Sequence, residues 1–332
     1  MIKLIDETAA EEVAIEQPAL NWKEKIFERA KEGEVIPIIG NAYINALLFE
    51  AHDEVIKYYA AKKGIDLHGQ QALSALTQFQ IAEADSVVTV KQDYLRVLKE
   101  GLRGAVDSDE IAISSDKKAE LNLTFKSLSV SELCKFVNYP DLSNNKHPLR
   151  LLAALELPIF ITTSYHDLLE RALVEQHKDP VVGLCRWNEY LEFTPIFEAY
   201  KEYEPSVQRP LVYHLYGVDS DAVSLVLTED DHLDFMANVK GALPNRLTKA
   251  LRRSSLIVLG YRLQDLDFKV LFRGIIKEHR TLKMESVAIQ LEETDQDRQY
   301  LENYLQRQVD FFVEWASDPG DFIKELFRKG RP

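Results

Sequence analysis

Apolar and polar positions follow two different rhythms along this chain. In NWKEKIFERAKEG, residues 21–33, Trp22, Ile26, Phe27 and Ala30 recur at helical spacing and Gly33 offers a stop. EVIPIIGNAY then gives a short apolar run that ends at Gly40. The long stretch that follows reads mostly helical, through INALLFEAHDEVIKYYAAKKG, QQALSALTQFQIAEA, VKQDYLRVLKEGL and SVSELCKFVNY. DLSNNKHP, residues 141–148, reads as a loop that delivers the helix LRLLAALE. In the second half the rhythm changes. LPIFITT (157–163), PLVYHLYG (210–217), SLIVLG (255–260), ESVAIQL (285–291) and VDFFVEW (309–315) are short apolar runs, most with β-branched residues, and helical patterns lie between several of them. DPGDFIKELF reads as an aspartate-capped helix. Buried strands alternating with helices predict an α/β fold with a mainly parallel sheet, and the helical stretch at about 44–150 is then an insertion in that sheet or a cap over it.

Composition narrows the picture. With 332 residues and 46% hydrophobic positions the chain suffices for one large domain or two small ones. Its 54 acids against 40 bases give a net charge of -14, which repels phosphate backbones and anionic lipids, so no nucleic-acid or membrane partner is expected. RTLK at 280–283 is too short to make a basic groove. Cys134 and Cys185 stand far apart without a CxxC, which excludes a disulfide framework and a four-cysteine zinc site. No metal is expected. The acidic N-terminus lacks the apolar core of a signal peptide and no run approaches a membrane span, so a cytoplasmic location is expected.

In open α/β sheets ligands sit beyond the carboxyl ends of the strands, so the residues just after each apolar run carry the chemical interest. The first run ends in Gly40-Asn41-Ala42-Tyr43, the second in Thr162-Thr163-Ser164-Tyr165-His166-Asp167. The third carries His214-Leu215-Tyr216-Gly217, and the fourth ends in Gly260-Tyr261-Arg262-Leu263-Gln264-Asp265. Each has a plain structural alternative: glycine as a turn, serine or threonine as a helix cap, a histidine hydrogen-bonded in the core, Asp265 and Asp267 capping the next helix.

The order and spacing of these endings resemble the sirtuin-like family, in particular bacterial sirtuin relatives of antiphage defence. ITTSYHDLLERAL is similar to that family's ITTNYDDLLE segment, LVYHLYG to its LHG, SLVLTEDDHLDF to its vLTeedY, and LIVLGYRLQDLDFKVLF to its iGfSlxDxxfr. IPIIGNAY stands where the family has its GAG loop, and the resemblance covers roughly Val35 to Phe272. It implies a Rossmann-like site that binds NAD and, in many members, hydrolyses it to nicotinamide and an ADP-ribose product. The domain boundaries expected are a lead-in and helix at 1–34, a nucleotide-binding domain at 35–283 and a strand–helix tail at 284–332 completing the same domain.

The chain departs from that pattern at chemically important places. Ala42 replaces the loop's second glycine and bulky Tyr43 follows; the family's asparagine falls on Ser164, its aspartate on His166 beside Asp167, and its LHG histidine on Tyr216. If 211–216 is extended, His214 shares a face with Tyr216, displaced by about 6–7 Å along the strand. His214 or His166 would then take a proton from water or ribose, since an ordinary phenol with a pKa of about 10 is a poor base. Ser164 would orient a water or a ribose hydroxyl, and Tyr216 would hold a ribose hydroxyl. Gly40, Asn41, Ala42 and Tyr43, with Thr162, Thr163, Asp167, Gly217, Gly260, Tyr261 and Asp265, would line the nucleotide site. Two readings stay open: an NAD glycohydrolase held off by oligomerisation or a defence partner, and a catalytically degenerate nucleotide sensor. A purely structural assembly protein is the third.

Overall fold

The computed structural model describes residues 22–67, 72–263, 265–279, 285–290, 302–305, 307, 311–315 and 318–331. The acidic lead-in at 1–20 and RTLK at 280–283 lie outside them. Seven strands form one parallel sheet: β1 (Val35–Ile39), β2 (Ile159–Thr162), β3 (Val181–Leu184), β4 (Leu211–His214), β5 (Ser255–Tyr261), β6 (Ser286–Gln290) and β7 (Phe311–Trp315), in the order β3-β4-β2-β1-β5-β6-β7. Every residue of β1 and β5 is buried, as expected of central strands covered on both faces. The chain winds outward through β2 on one side of β1 and through β5, β6 and β7 on the other. The order therefore reverses at β1, and the crevice for a ligand opens beyond its carboxyl end. Ile39 pairs with Thr162 and with Leu259, so β1 and β2 end level at that crevice while β5 runs on to Tyr261.

Pro37 in the middle of this central strand is tolerated for a local reason. Gly40 donates to the Leu259 carbonyl while Thr163 donates to the Ile39 carbonyl, so β1 alternates its bonding between its two neighbours. By that alternation Pro37 faces β2, where pairing begins only at Ile38, and its missing N–H breaks no ladder bond.

The expected helical insertion is present. After β1 come α2 (Asn41–Phe49), α3 (His52–Lys63), α4 (Leu73–Ile81), α5 (Val87–Asp107), α6 (Ser115–Thr124), α7 (Val130–Val137) and α8 (Pro148–Ala153), with α1 (Trp22–Lys31) before the sheet. The stretch that reads as one helix from Ile44 to Gly64 is two, broken where Glu50 takes φ 65. Helix α6 and strand β3 escape the sequence pattern. β3 is a short, partly exposed edge strand, VVGL, paired on one side only, and its apolar run is interrupted by Gly183.

The insertion is tied to the sheet by buried polar contacts. Helices α9 (Leu168–Glu175), α10 (Ile196–Ala199), α11 (Glu229–Ala242), α12 (Asn245–Arg253) and α13 (Leu266–Leu271) follow the later strands. Asp231 of α11 pairs with Lys91 of α5 at 2.8 Å and caps the Leu227 and Thr228 N–H groups, in a capping box with Thr228. Thr77 of α4 donates to the Leu227 carbonyl. These contacts fix the start of α11 against α4 and α5, and so fix His232 one turn further on. The closing helix, Pro319–Lys329, is capped by Asp318, which accepts from Gly320.

Candidate functional site

The turn from β1 into α2 is packed tightly onto the end of β5. A Cβ on Gly40 would lie 2.6 Å from the Gly260 carbonyl oxygen, and one on Gly260 would lie 2.2 Å from Cβ of Tyr43. Gly260 also takes φ +74, which a side chain would strain. These glycines let two backbones meet, which is their structural role whatever else approaches them. The end of β2 is stitched to β1 and, beyond it, to β5. Thr162 Oγ1 donates to the Ile39 carbonyl, and Thr163 Oγ1 bonds the Tyr261 hydroxyl at 2.7 Å while accepting from the Asn41 N–H.

Above this floor lies a cleft with about 50 Å³ of free space, open to solvent at its mouth. Asn41 and Ala42 supply the wall at the N-terminus of α2, and Tyr216 enters from the turn after β4. Asp265, Leu266 and Asp267 come from the loop after β5, and Leu227 and His232 from the approach to α11. His52, Leu73 and Ser74 show that the helical insertion forms the remaining wall. Of the residues singled out from sequence, Asn41, Ala42, Tyr216 and Asp265 line the cleft. Gly40, Tyr43, Thr162, Thr163, Asp167, Gly217, Gly260 and Tyr261 do not line it, and neither do Ser164, His166 and His214.

The electrostatics of the cleft are acidic and partly unsatisfied. Burial, reinforced by neighbouring Asp265, pushes the Asp267 carboxyl up to about 7; burial also raises Asp265. Asp265 occupies the cap position of α13 but makes no capping bond, whereas Asp267 accepts from Phe268. Burial, with the Arg262 guanidinium nearby, drives His52 down to about 4. Arg262 is engaged by Asp53 at 2.8 Å. Two buried polar atoms on the wall, Asn41 Oδ1 and His52 Nδ1, lack a hydrogen-bond partner. Buried orphans of this kind mark a place for water or a ligand. The Tyr216 hydroxyl donates to the Asp267 carbonyl, and burial raises its pKa far above that of a free phenol, so it is a donor and not a base.

Of the four residues that sequence reasoning placed at the chemistry, Tyr216 lines the cleft, while Ser164, His166 and His214 form a separate buried cluster. β4 ends at His214 and the chain then turns, so the same-face argument linking His214 to Tyr216 does not hold. His214 Nδ1 faces the Ser164 carbonyl at 2.9 Å and its Nε2 faces Glu170 of α9 at 2.5 Å. Two acceptors on two nitrogens favour the imidazolium. Burial opposes that charge, but the Glu170 carboxylate and the two hydrogen bonds outweigh it, and the pKa is raised. An imidazolium with both N–H groups engaged has no lone pair with which to act as a base. Ser164 Oγ accepts from the His166 N–H, and His166 Nδ1 pairs with Asp219 at 2.8 Å. Asp219 also accepts from the N–H and hydroxyl of Ser131 on α7; burial would raise its pKa, yet His166 and Ser131 hold it below the ordinary value. Asp167 stands at the N-cap of α9 without a capping bond, and burial with neighbouring Glu170 pushes it up to about 6.

Residues 158–308 match the SIR2-like domain family, and the chain carries a sirtuin-like domain over that stretch. SIR2-like domains bind NAD, and the reversal of strand order at β1 puts the cleft where such a fold receives a nucleotide. No curated protein matches the chain. Among the described residues no cluster of His, Cys, Asp and Glu is placed to hold a metal ion, and no helix is long and apolar enough to cross a membrane. Sequence reasoning missed His232, His52 and Ser74 as wall residues. For His232 a signal existed: the family segment vLTeedY has tyrosine where LTEDDH has His232, while Tyr216 stands where LHG has histidine. The two ring types are exchanged, and their centroids lie 5.2 Å apart, edge to face.

Proposed function

We propose that this protein binds NAD in the cleft and hydrolyses the bond between its ribose and nicotinamide. The observation that carries the reading is the cleft itself. It lies at the reversal of strand order, with the N-terminus of α2 on one wall and the Asp265–Asp267 carboxyls on another. The α2 end suits the negative pyrophosphate. The carboxyls suit the opposite end of the same ligand, the cationic nicotinamide ring and the oxocarbenium character that develops as it leaves. Nicotinamide departs as a neutral molecule and needs no acid, so positioning and charge stabilisation are most of what the protein must supply. The bacterial resemblance suggests antiphage defence as the setting, with an oligomeric state or a partner protein restraining NAD loss.

One observation favours a second reading, a nucleotide sensor without turnover: the phenol at 216 is hydrogen-bonded to a backbone carbonyl and is no base. The two separate in a proton NMR time course of NAD with concentrated protein. Nicotinamide signals growing in proportion to protein support hydrolysis. Intact NAD with broadened lines supports the sensor. Intact NAD with sharp lines overturns NAD as the ligand.

A further inference from the structure

His232 is an imidazole on the cleft wall whose tautomer its surroundings fix. It sits in the first turn of α11, is 4% exposed and lines the cleft. Its Nδ1 lies 2.7 Å from the Thr228 carbonyl oxygen. A carbonyl only accepts, so Nδ1 carries the hydrogen and Nε2 holds a lone pair. No described residue is bonded to Nε2. Thr228 is itself locked in the capping box with Asp231, whose other oxygen is held by buried Lys91, so the tautomer is set by a rigid chain of contacts. Tyr216 packs edge-on against the ring at 5.2 Å and Phe235 packs on Tyr216 at 5.0 Å, which holds the imidazole plane.

We propose that His232 is the proton acceptor of the cleft, its Nε2 taking the proton of the water that attacks the ribose. The proposal rests on the glycohydrolase reading above. In the step, the water oxygen forms a bond to the anomeric carbon and one water proton passes to Nε2. The carbon–nitrogen bond breaks with its electron pair moving onto the pyridinium nitrogen, which neutralises the departing nicotinamide. The imidazolium then returns its proton to solvent, so the sum is NAD and water giving ADP-ribose, nicotinamide and a proton. Burial, with Lys91 in support, lowers the His232 pKa, so the ring is neutral and ready at neutral pH. The other titratable or charged groups around it are Asp231 on α11, Lys91 on α5, Tyr216 after β4, Asp265 and Asp267 after β5, and His52 on α3.

The test compares the full-length parent with His232→Ala for NAD affinity by calorimetry and for nicotinamide release between pH 5 and 9, with and without added imidazole. Expected is a loss of about 100-fold or more in turnover, NAD affinity within a few-fold of the parent, loss of the part of the acid limb that lies below the Asp267 rise near pH 7, and partial recovery with imidazole. A merely structural role would not give rescue by imidazole. Turnover by His232→Ala at the parent rate, with the acid limb intact, overturns the role of His232 and leaves the glycohydrolase reading standing. A slow variant that imidazole fails to rescue and that keeps that part of the acid limb also overturns it. A parent that binds NAD but never releases nicotinamide overturns both. Should His232→Ala fail to fold, His232→Gln, whose amide can still donate to Thr228, serves the same comparison without the rescue arm.

Discussion

Two polar regions grow from the same strand ends, and they treat histidine in opposite ways. In the buried cluster His214 meets an acceptor at each nitrogen, Ser164 and Glu170, and is held as a cation inside the protein. In the cleft wall His232 meets one acceptor, Thr228, and keeps a lone pair on its other nitrogen. The first arrangement stabilises a fold and the second is equipped for proton transfer. The difference teaches that a histidine near a strand end is read by its partners, not by its distance along the chain from a motif.

The comparison breaks most visibly at Glu170. Glu170→Ala leaves His214 buried without its hydrogen-bonded carboxylate, and the expected loss of stability is about 3 kcal/mol or more, measured by urea unfolding near pH 6. Because the folded-state pKa of His214 is raised, the contribution of the pair is fully present below its unfolded value of about 6.5 and fades as pH rises through the folded one. The gap between variant and parent therefore narrows at high pH. A gap that widens there contradicts the cationic assignment.

Gly260→Ala comes next, with an expected cost of about 2 kcal/mol, because the added methyl meets Tyr43 while φ stays positive. Its measure is the same urea midpoint, and an unchanged midpoint would show that the α2 turn is looser than described. Asp267→Asn acts on the cleft. A carboxyl raised to about 7 is neutral below that pH and charged above it, so parent turnover rises through neutral pH and the variant loses that rise, several-fold at pH 8. The same sign applies to stability: an aspartate more basic folded than unfolded destabilises the fold as pH climbs from about 4 to 7. The variant therefore melts above the parent at pH 8 and level with it at pH 4. Ser164→Ala is the smallest change. It removes the hydrogen bond from the His166 N–H and costs about 1 kcal/mol, with NAD affinity unaltered.

Much of the fold was legible because central parallel strands must be apolar throughout. β1, β2, β4 and β5 announced themselves as short β-branched runs, and their polar endings pointed to the crevice. β3 was missed because its apolar run, VVGL, is four residues long and interrupted by Gly183. The site was legible only in part. Asn41, Ala42, Tyr216 and Asp265 sit where a strand-end argument puts them. His214 was misplaced because alternation was carried past the last residue of β4 into a turn. His232 lies inside a helical pattern, TEDDHLDF, where nothing in periodicity separates it from a solvated face. Only the fold brings that turn of α11 over the ends of β1 and β5.

The central claim is that the cleft, and not the cluster beneath it, receives NAD. The most direct measurement is proton NMR of NAD with the parent, with Ser164→Ala and with the cleft variant Asn41→Ala, Asp267→Asn. The account predicts broadened NAD lines and released nicotinamide with the parent and with Ser164→Ala, and sharp, intact NAD with the cleft variant. Sharp, intact NAD with the parent, or an equal loss from Ser164→Ala and the cleft variant, would contradict it.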